Sequence, residues 1–181
     1  MIKKKLITVA IDSPAAAGAG TQAKLIAKHY NLLHLDTGRI YRLIGKMKLD
    51  SPKNFNFNKI KKKIKNIKIN ELKNQSLLSD KVATAASIIA KKKKIRSLVH
   101  KFQQQCAYSP PKKYSGSVLD GRDITSIQMK DAMFKFYITA SIQVRAKRRY
   151  KELKALKKNI GFKEVLKSIK KRDKSDKNRK F

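Results

Sequence analysis

An α/β architecture, with a parallel sheet and helices on both of its faces, is what this sequence predicts. Three observations carry the prediction. Short apolar runs bounded by charge, Gly or Pro recur at residues 6–11, 32–35, 117–119 and 133–138. Longer stretches with helical spacing of apolar residues lie between them. The first run, Leu6-Ile7-Thr8-Val9-Ala10-Ile11, is apolar almost throughout and does not alternate, as expected of a strand buried on both faces. Strands alternating with helices argue for parallel pairing. A chain of 181 residues suits one domain.

The elements follow in order. After the first strand, residues 13–20 are small and loop-like, and residues 21–30 take a helical pattern with Ala23, Ile26, Ala27 and Tyr30 on one side. The second strand, residues 32–35, ends at Asp36-Thr37-Gly38, and a helix is expected over residues 39–47. Residues 50–75 are rich in Lys, Asn and Ile. The spacing of Ile60, Ile64 and Ile67 suits a surface helix, whereas Ile67 and Ile69 could open a strand, so this segment stays open. Residues 78–107 form the best helical stretch, bent near the lysine run 91–94. Val82, Ala85, Ala86 and Ile89, then Ile95, Leu98, Val99 and Phe102, keep its period. A third strand over residues 117–119 leads into Asp120-Gly121-Arg122-Asp123, a fourth covers 133–138, and strongly basic helix follows.

Composition narrows the class further. With 7 Gly, 4 Pro and one Cys, collagen-like and disulfide-stapled chains are excluded. No apolar run approaches a membrane span. The lysines at 3–5 followed by an apolar stretch mimic a secretory signal, but that stretch ends at Asp12, too early for a signal core. A cytoplasmic protein is expected. The formal charge of +34 comes from 37 Lys and 9 Arg against 12 acidic residues. Such an excess attracts polyanions at low salt. Readers of nucleic acid lean on arginine, whose planar fork grips phosphates and bases, and no reading motif or aromatic platform occurs here. No specific nucleic-acid partner and no membrane partner is therefore expected. His29, His34 and His100 lack a cysteine or carboxylate at metal-ligand spacing. Cys106 reads as a packing residue, and the aromatics at 55, 57, 134, 136 and 137 as core or insert packing.

Chemistry-bearing residues cluster at strand ends. Ser13-Pro14-Ala15-Ala16-Ala17-Gly18-Ala19-Gly20-Thr21 is laid out like a phosphate-binding loop, where small residues let backbone N–H groups converge on an anion at a helix N-terminus. Thr21 stands where such loops place a magnesium ligand. Ser13 replaces the first glycine, and Ala19 takes the place of the lysine that reaches the β- and γ-phosphates. An ordinary strand-to-helix turn is the competing reading of this loop. Asp36-Thr37-Gly38-Arg39-Ile40-Tyr41-Arg42 and Asp120-Gly121-Arg122-Asp123 set arginines beside carboxylates at strand ends, where open α/β sheets place ligands. A third such cluster runs from Arg172-Asp173 to Asp176 and Asn178-Arg179. Six of the 12 acidic residues (Asp12, Asp36, Asp120, Asp123, Asp173 and Asp176) lie in or beside these motifs. Any one cluster taken alone reads as a surface ion pair.

Taken together and in order, the degenerate loop, DTGxxYR, Thr84-Ala85-Ala86-Ser87 followed by Ile95-Arg96, DGRD, RAxRRYKEL at 145–153 and RDxxDxNR resemble the bacterial cytidylate kinases, a branch of the P-loop nucleoside monophosphate kinases. The resemblance runs from residue 5 to 179 and is weakest over 48–75. It implies a P-loop kinase core (residues 5–49 and 76–141), a reduced monophosphate-binding insert (50–75) and a basic helical lid (142–181), within one domain. It implies transfer of the ATP γ-phosphoryl group to CMP or dCMP with Mg2+, by a monomer. Phosphoryl transfer is mostly positioning and charge neutralisation, which a site dense in arginine suits.

Residue by residue, the resemblance implies that Ser13 to Thr21 hold ATP phosphates, with Arg145 and Arg149 reaching them from the lid beside Arg148 and Arg172. It makes Thr37, Arg42, Ser87, Arg96, Arg122, Asp123, Asp176 and Arg179 the CMP-binding set. Within that set Arg42, Arg122 and Arg179 grip the phosphate, Ser87, Arg96 and Asp123 read cytosine, and Asp176 meets the ribose. Asp120, Arg122 and Arg179 are the implied catalytic group, with Thr21 and Asp120 on magnesium, the latter through water. Relatives continue past the NR motif with a strand and a closing helix that find no counterpart before Phe181. Ala19 predicts a slowed kinase. A nucleotide-binding pseudoenzyme and a lysine-rich polyanion-binding protein on the same scaffold stand beside it.

Overall fold

Four parallel strands, β1 (Ile7–Asp12), β2 (Leu32–Asp36), β3 (Gly116–Gly121) and β4 (Phe134–Tyr137), form one sheet in the order β2-β3-β1-β4 in this computed structural model. The structure describes residues 6–156 and 159–178, and only the backbone of Asp80. The strands fall within two residues of the apolar runs, and for β1 to β3 the reason is that a largely buried strand shows itself as a mostly apolar stretch. Val9, Ile11 and Val118 point to one face, where Ala19, Ala23 and Ala27 of α1 (Ala19–His29) cover them. Ala10, Leu33, Leu35 and Leu119 point to the other.

That second face carries α2 (Thr37–Asp50), α3 (Phe57–Lys65), α4 (Asp80–Ile89) and α5 (Lys93–Tyr108). The long helical stretch expected over 78–107 is two helices, parted at Ala90–Lys92, where the lysine run begins. Close packing of α2 on α4 requires Gly45, since a Cβ there would stand 2.9 Å from the Ala86 backbone nitrogen. The segment left open by sequence is helical. Asn56 caps α3 by accepting from the Lys59 N–H, Ile60 and Ile64 are buried, and two short 3₁₀ turns (Ile69–Lys73 and Gln75–Leu78) follow in place of a strand. The basic C-terminal part is a helical pair, α6 (Ile142–Ala155) and α7 (Phe162–Lys177), joined through Ala146, Leu153, Val165 and Ile169.

Two readings of apolar residues need correction. Phe57 on α3 and Phe134, Phe136 and Tyr137 on β4 are exposed, not packed. For the β4 residues the reason is position, because β4 ends the strand order and pairs only with β1 among the described residues. Cys106 packs as expected, and burial raises its thiol pKa to about 11, which keeps it protonated and inert. None of the described helices is long and apolar enough to cross a membrane.

Candidate active site

Strand order sets the place of the site. Because β1 lies between β3 and β4, the chain turns to opposite sides after β1 and β3, and a crevice opens beyond their carboxyl ends. A cavity of about 380 Å³ occupies it. Its walls come from the loop after β1, the start of α1, the β2–α2 junction, one face of α4, the turn after β3 and α7.

The loop is shaped for an anion. Ala17 N–H donates to the Pro14 carbonyl at 3.3 Å, Ala16 takes φ 60°, and Gly18 takes φ 100° immediately before α1. An alanine in the left-handed region costs about 1–2 kcal/mol, so the loop stores strain at Ala16. No described side chain caps α1, and Ala19, Gly20 and Thr21 of its first turn line the cavity. Ser13 N–H donates to the Gly121 carbonyl at 3.0 Å, which ties this loop to the turn after β3.

Carboxylates stand opposite. Asp120, the penultimate residue of β3, is in register with Asp36 of β2. Its Oδ1 lies 2.7 Å from His34 Nε2, and its Oδ2 lies 3.6 Å from where a Cβ on Gly20 would be. Burial raises the Asp120 pKa above the usual carboxylate range, and the His34 hydrogen bond pulls it back. Thr37 Oγ1 donates to the Asp120 carbonyl at 2.8 Å, and this approach demands Gly121, whose Cβ would sit 2.4 Å from that hydroxyl oxygen. Asp12 points away from the cavity. Its carboxylate accepts from the Ile124 and Thr125 N–H groups at 2.7 and 3.0 Å, holding the turn that follows DGRD.

Arginines fill the remaining wall. Arg42 donates to the Leu77 carbonyl at 2.8 Å, and burial together with Arg172 and Arg149 lowers its pKa to about 10, still protonated at neutral pH. Arg122 Nε pairs with Asp176 Oδ2 at 2.9 Å, and its Nη1 donates to the Ser13 carbonyl. Arg96 pairs with Asp123 at 3.0 Å. Guanidinium groups gathered this closely form a site prepared for a multiply charged anion.

Of the residues singled out from sequence, Ser13, Pro14, Ala16, Ala17, Gly18, Ala19, Gly20, Thr21, Thr37, Arg42, Ser87, Asp120, Arg122, Asp123 and Asp176 line this one cavity. Arg96 stands behind it, on Asp123. Arg179 lies outside the described residues. Ala15 is buried beneath the loop. Arg145 is 6% exposed and committed to protein partners, the Ala15 and Ala140 carbonyls and both oxygens of Asp173 at 3.0 and 2.6 Å. It fastens α6 and α7 to the loop and does not line the cavity. Arg149 pairs with Glu152 at 3.1 Å, and it is Glu152 that lines the cavity. Sequence reasoning left out Lys24, Tyr41 and the small residues Ala83, Ala86 and Ala90, which line it too. Helical spacing on α4 was the available signal for the alanines. Nothing local signalled that His34, read from sequence as lacking a carboxylate, pairs with Asp120 86 residues away.

Oxygen donors fit a hard divalent cation here. The Thr21 hydroxyl and the Asp36 and Asp120 carboxylates face one cavity at the start of α1. Among the described residues no cluster of three or more metal-ligating side chains occurs.

Comparison with known proteins agrees with this arrangement. The family model described as cytidylate kinase matches residues 9–181. The cytidylate kinase of Azorhizobium caulinodans is 40% identical over 171 residues, covering 94% of this chain and 81% of the relative. That of Clostridium botulinum strain Hall is 39% identical over 185 residues, covering 96% and 83%. That of Rhodopseudomonas palustris strain TIE-1 is 38% identical over 172 residues, covering 94% and 79%.

Proposed function

The chain belongs to the cytidylate kinase family, and from that premise we propose that its cavity transfers the γ-phosphoryl group of ATP to CMP and dCMP, giving the diphosphates. The observation that carries the assignment is the convergence of Arg42, Arg122 and Arg172, the uncapped start of α1 and Asp120 on one cavity at the strand ends. A polyphosphate and a second phosphate must meet there, and the cations neutralise their mutual repulsion.

The amides of Gly18 to Gly20 cradle the ATP phosphates. Thr21 and Asp120 would hold a divalent cation such as magnesium, which would supply charge neutralisation to the ATP phosphates. Arg42, Arg122 and Arg179 hold the CMP phosphate so that its oxygen lines up with the γ-phosphorus. Ser87 and the Arg96–Asp123 pair present acceptor and donor to the cytosine edge, and Asp176 meets the ribose. A base edge read by buried hydrogen-bonding groups rejects a nucleotide that leaves them unpaired more sharply than an apolar slot does. The lid consists of α6 and α7, which exclude water so that ATP is not hydrolysed. The enzyme acts as a cytoplasmic monomer of one domain, and most of its 37 lysines form a solvated surface, not a nucleic-acid interface.

Selective binding gives a direct test. At about 100 times its Kd, CMP stabilises the fold by about 2.7 kcal/mol and raises Tm by about 5–10 °C. AMP and GMP at the same concentration leave Tm within about 2 °C, as little binding implies. Equal shifts from all three, measured by differential scanning fluorimetry at physiological salt, would contradict the cytosine-reading roles.

A further inference from the structure

The phosphate loop has no cation of its own at the position where the family's lysine reaches the β- and γ-phosphates. Ala19 is the first residue of α1 and is 4% exposed, so its methyl group offers no charge. A cation does reach the loop from another element. Arg148 on α6 donates from Nη1 to the Ala17 carbonyl at 2.8 Å. The same nitrogen lies 3.3 Å from where a Cβ on Gly18 would be. This docking is held from below. Arg145, three residues earlier and so on the same side of α6, is clamped between the Ala15 carbonyl and Asp173. One guanidinium N–H is spent on Ala17, and the fork has four more N–H donors.

We infer that Arg148 is the cation that serves this loop in place of a lysine at position 19, bearing on the β- and γ-phosphates of ATP. The inference rests on the kinase reading above. Arg148 does not itself line the cavity and meets the loop at the Ala17 carbonyl, whereas the cations that do line it are engaged or placed elsewhere. Arg122 is tied to Asp176 and the Ser13 carbonyl. Arg172 stands close enough to Arg42 to lower its pKa, on the monophosphate side. Lys24 lines the cavity from the second turn of α1, and it also lines the neighbouring groove beside Asp36 and Arg39. Arginine suits the work, since its planar fork grips a phosphate with two N–H groups while staying charged at any physiological pH.

The test is a two-by-two set of variants, wild type, Arg148→Ala, Ala19→Lys and the double variant, with Arg148→Lys and Lys24→Ala alongside. CDP formation from ATP and CMP is followed in each. Arg148→Ala is expected to lower kcat about 10²-fold with KM for CMP changed less than about two-fold, the mark of an interaction made in the transition state. In the Ala19→Lys background the same substitution costs less than about five-fold, because the loop then carries its own charge. A lysine at 19 cannot replace the bond to the Ala17 carbonyl, so this rescue separates charge from mere support of the loop. Arg148→Lys retains at least about a tenth of the wild-type rate, because the charge survives without the fork. An equal cost for Arg148→Ala in both backgrounds overturns the inference and leaves the kinase assignment standing. So does a loss from Lys24→Ala that Ala19→Lys rescues. A wild-type chain that makes no CDP overturns both.

Discussion

Asp120→Asn is expected to lower kcat for CDP formation by about 10³-fold while CMP still protects the protein against unfolding. The side chain lies near the end of β3 beside the start of α1, with Oδ1 against His34 Nε2 at 2.7 Å and Oδ2 turned towards Gly20. Asparagine has the same shape and can keep the His34 hydrogen bond, so the packing around it survives. What it loses is the negative charge. Burial opposes that charge and neighbouring Asp36 opposes it further, while His34 and Arg122 favour it. In the proposed reaction that charge would help hold a hydrated cation beside the phosphates. A coupled assay at saturating ATP and CMP measures the effect. A loss below about ten-fold, too small for a residue that holds the catalytic cation, would remove Asp120 from that role.

The second large effect is at Arg122. Replacement by alanine is expected to lower kcat/KM for CMP by about 10³-fold, in the range seen when an arginine bearing on a transferring phosphoryl group is lost. One side chain here joins three elements: its Nε pairs with Asp176 of α7 at 2.9 Å, its Nη1 donates to the Ser13 carbonyl of the loop, and its backbone follows β3 directly. It therefore sits where the proposed reaction would bring the two phosphates together. Arg122→Lys is expected to recover about ten-fold of the loss, because a single ammonium supplies charge but not two parallel N–H groups. Equal activity of the lysine and alanine variants, or a loss confined to thermal stability, would make Arg122 a structural tie alone.

Much of this architecture was legible in the sequence, and the reasons differ by element. β1 to β3 were read well because they are short, mostly apolar runs ending in charge or glycine and largely buried, whereas β4 showed only as an aromatic run and is exposed. The α4–α5 pair kept its period through Val82, Ala85, Ala86 and Ile89 and again through Ile95 and Val99. Residues 50–75 were not legible, because α3 buries only Ile60 and Ile64 among its lysines, and its boundary depends on an asparagine cap. The site was visible as separate Arg-Asp clusters, each of which alone reads as a surface pair. The parallel register then carried Asp36 and Asp120 to one level and set the loop after β1 beside them. Three features of the site depend on contacts between distant residues and left no local trace: the His34–Asp120 pair, the commitment of Arg145 to Asp173, and the docking of Arg148 on Ala17. The left-handed backbone at Ala16 was also invisible, since alanine does not announce it.

Identifying the phosphorylated product tests the central claim most directly. Wild-type protein, ATP labelled at its γ-phosphate, magnesium and CMP are incubated at physiological salt, and the nucleotides are separated by chromatography. Label is expected to move from ATP to CDP, and to dCDP when dCMP is supplied, with far less transfer to AMP or GMP. Label released only as inorganic phosphate, or no transfer to any monophosphate from protein that still binds CMP, would contradict phosphotransfer at this site.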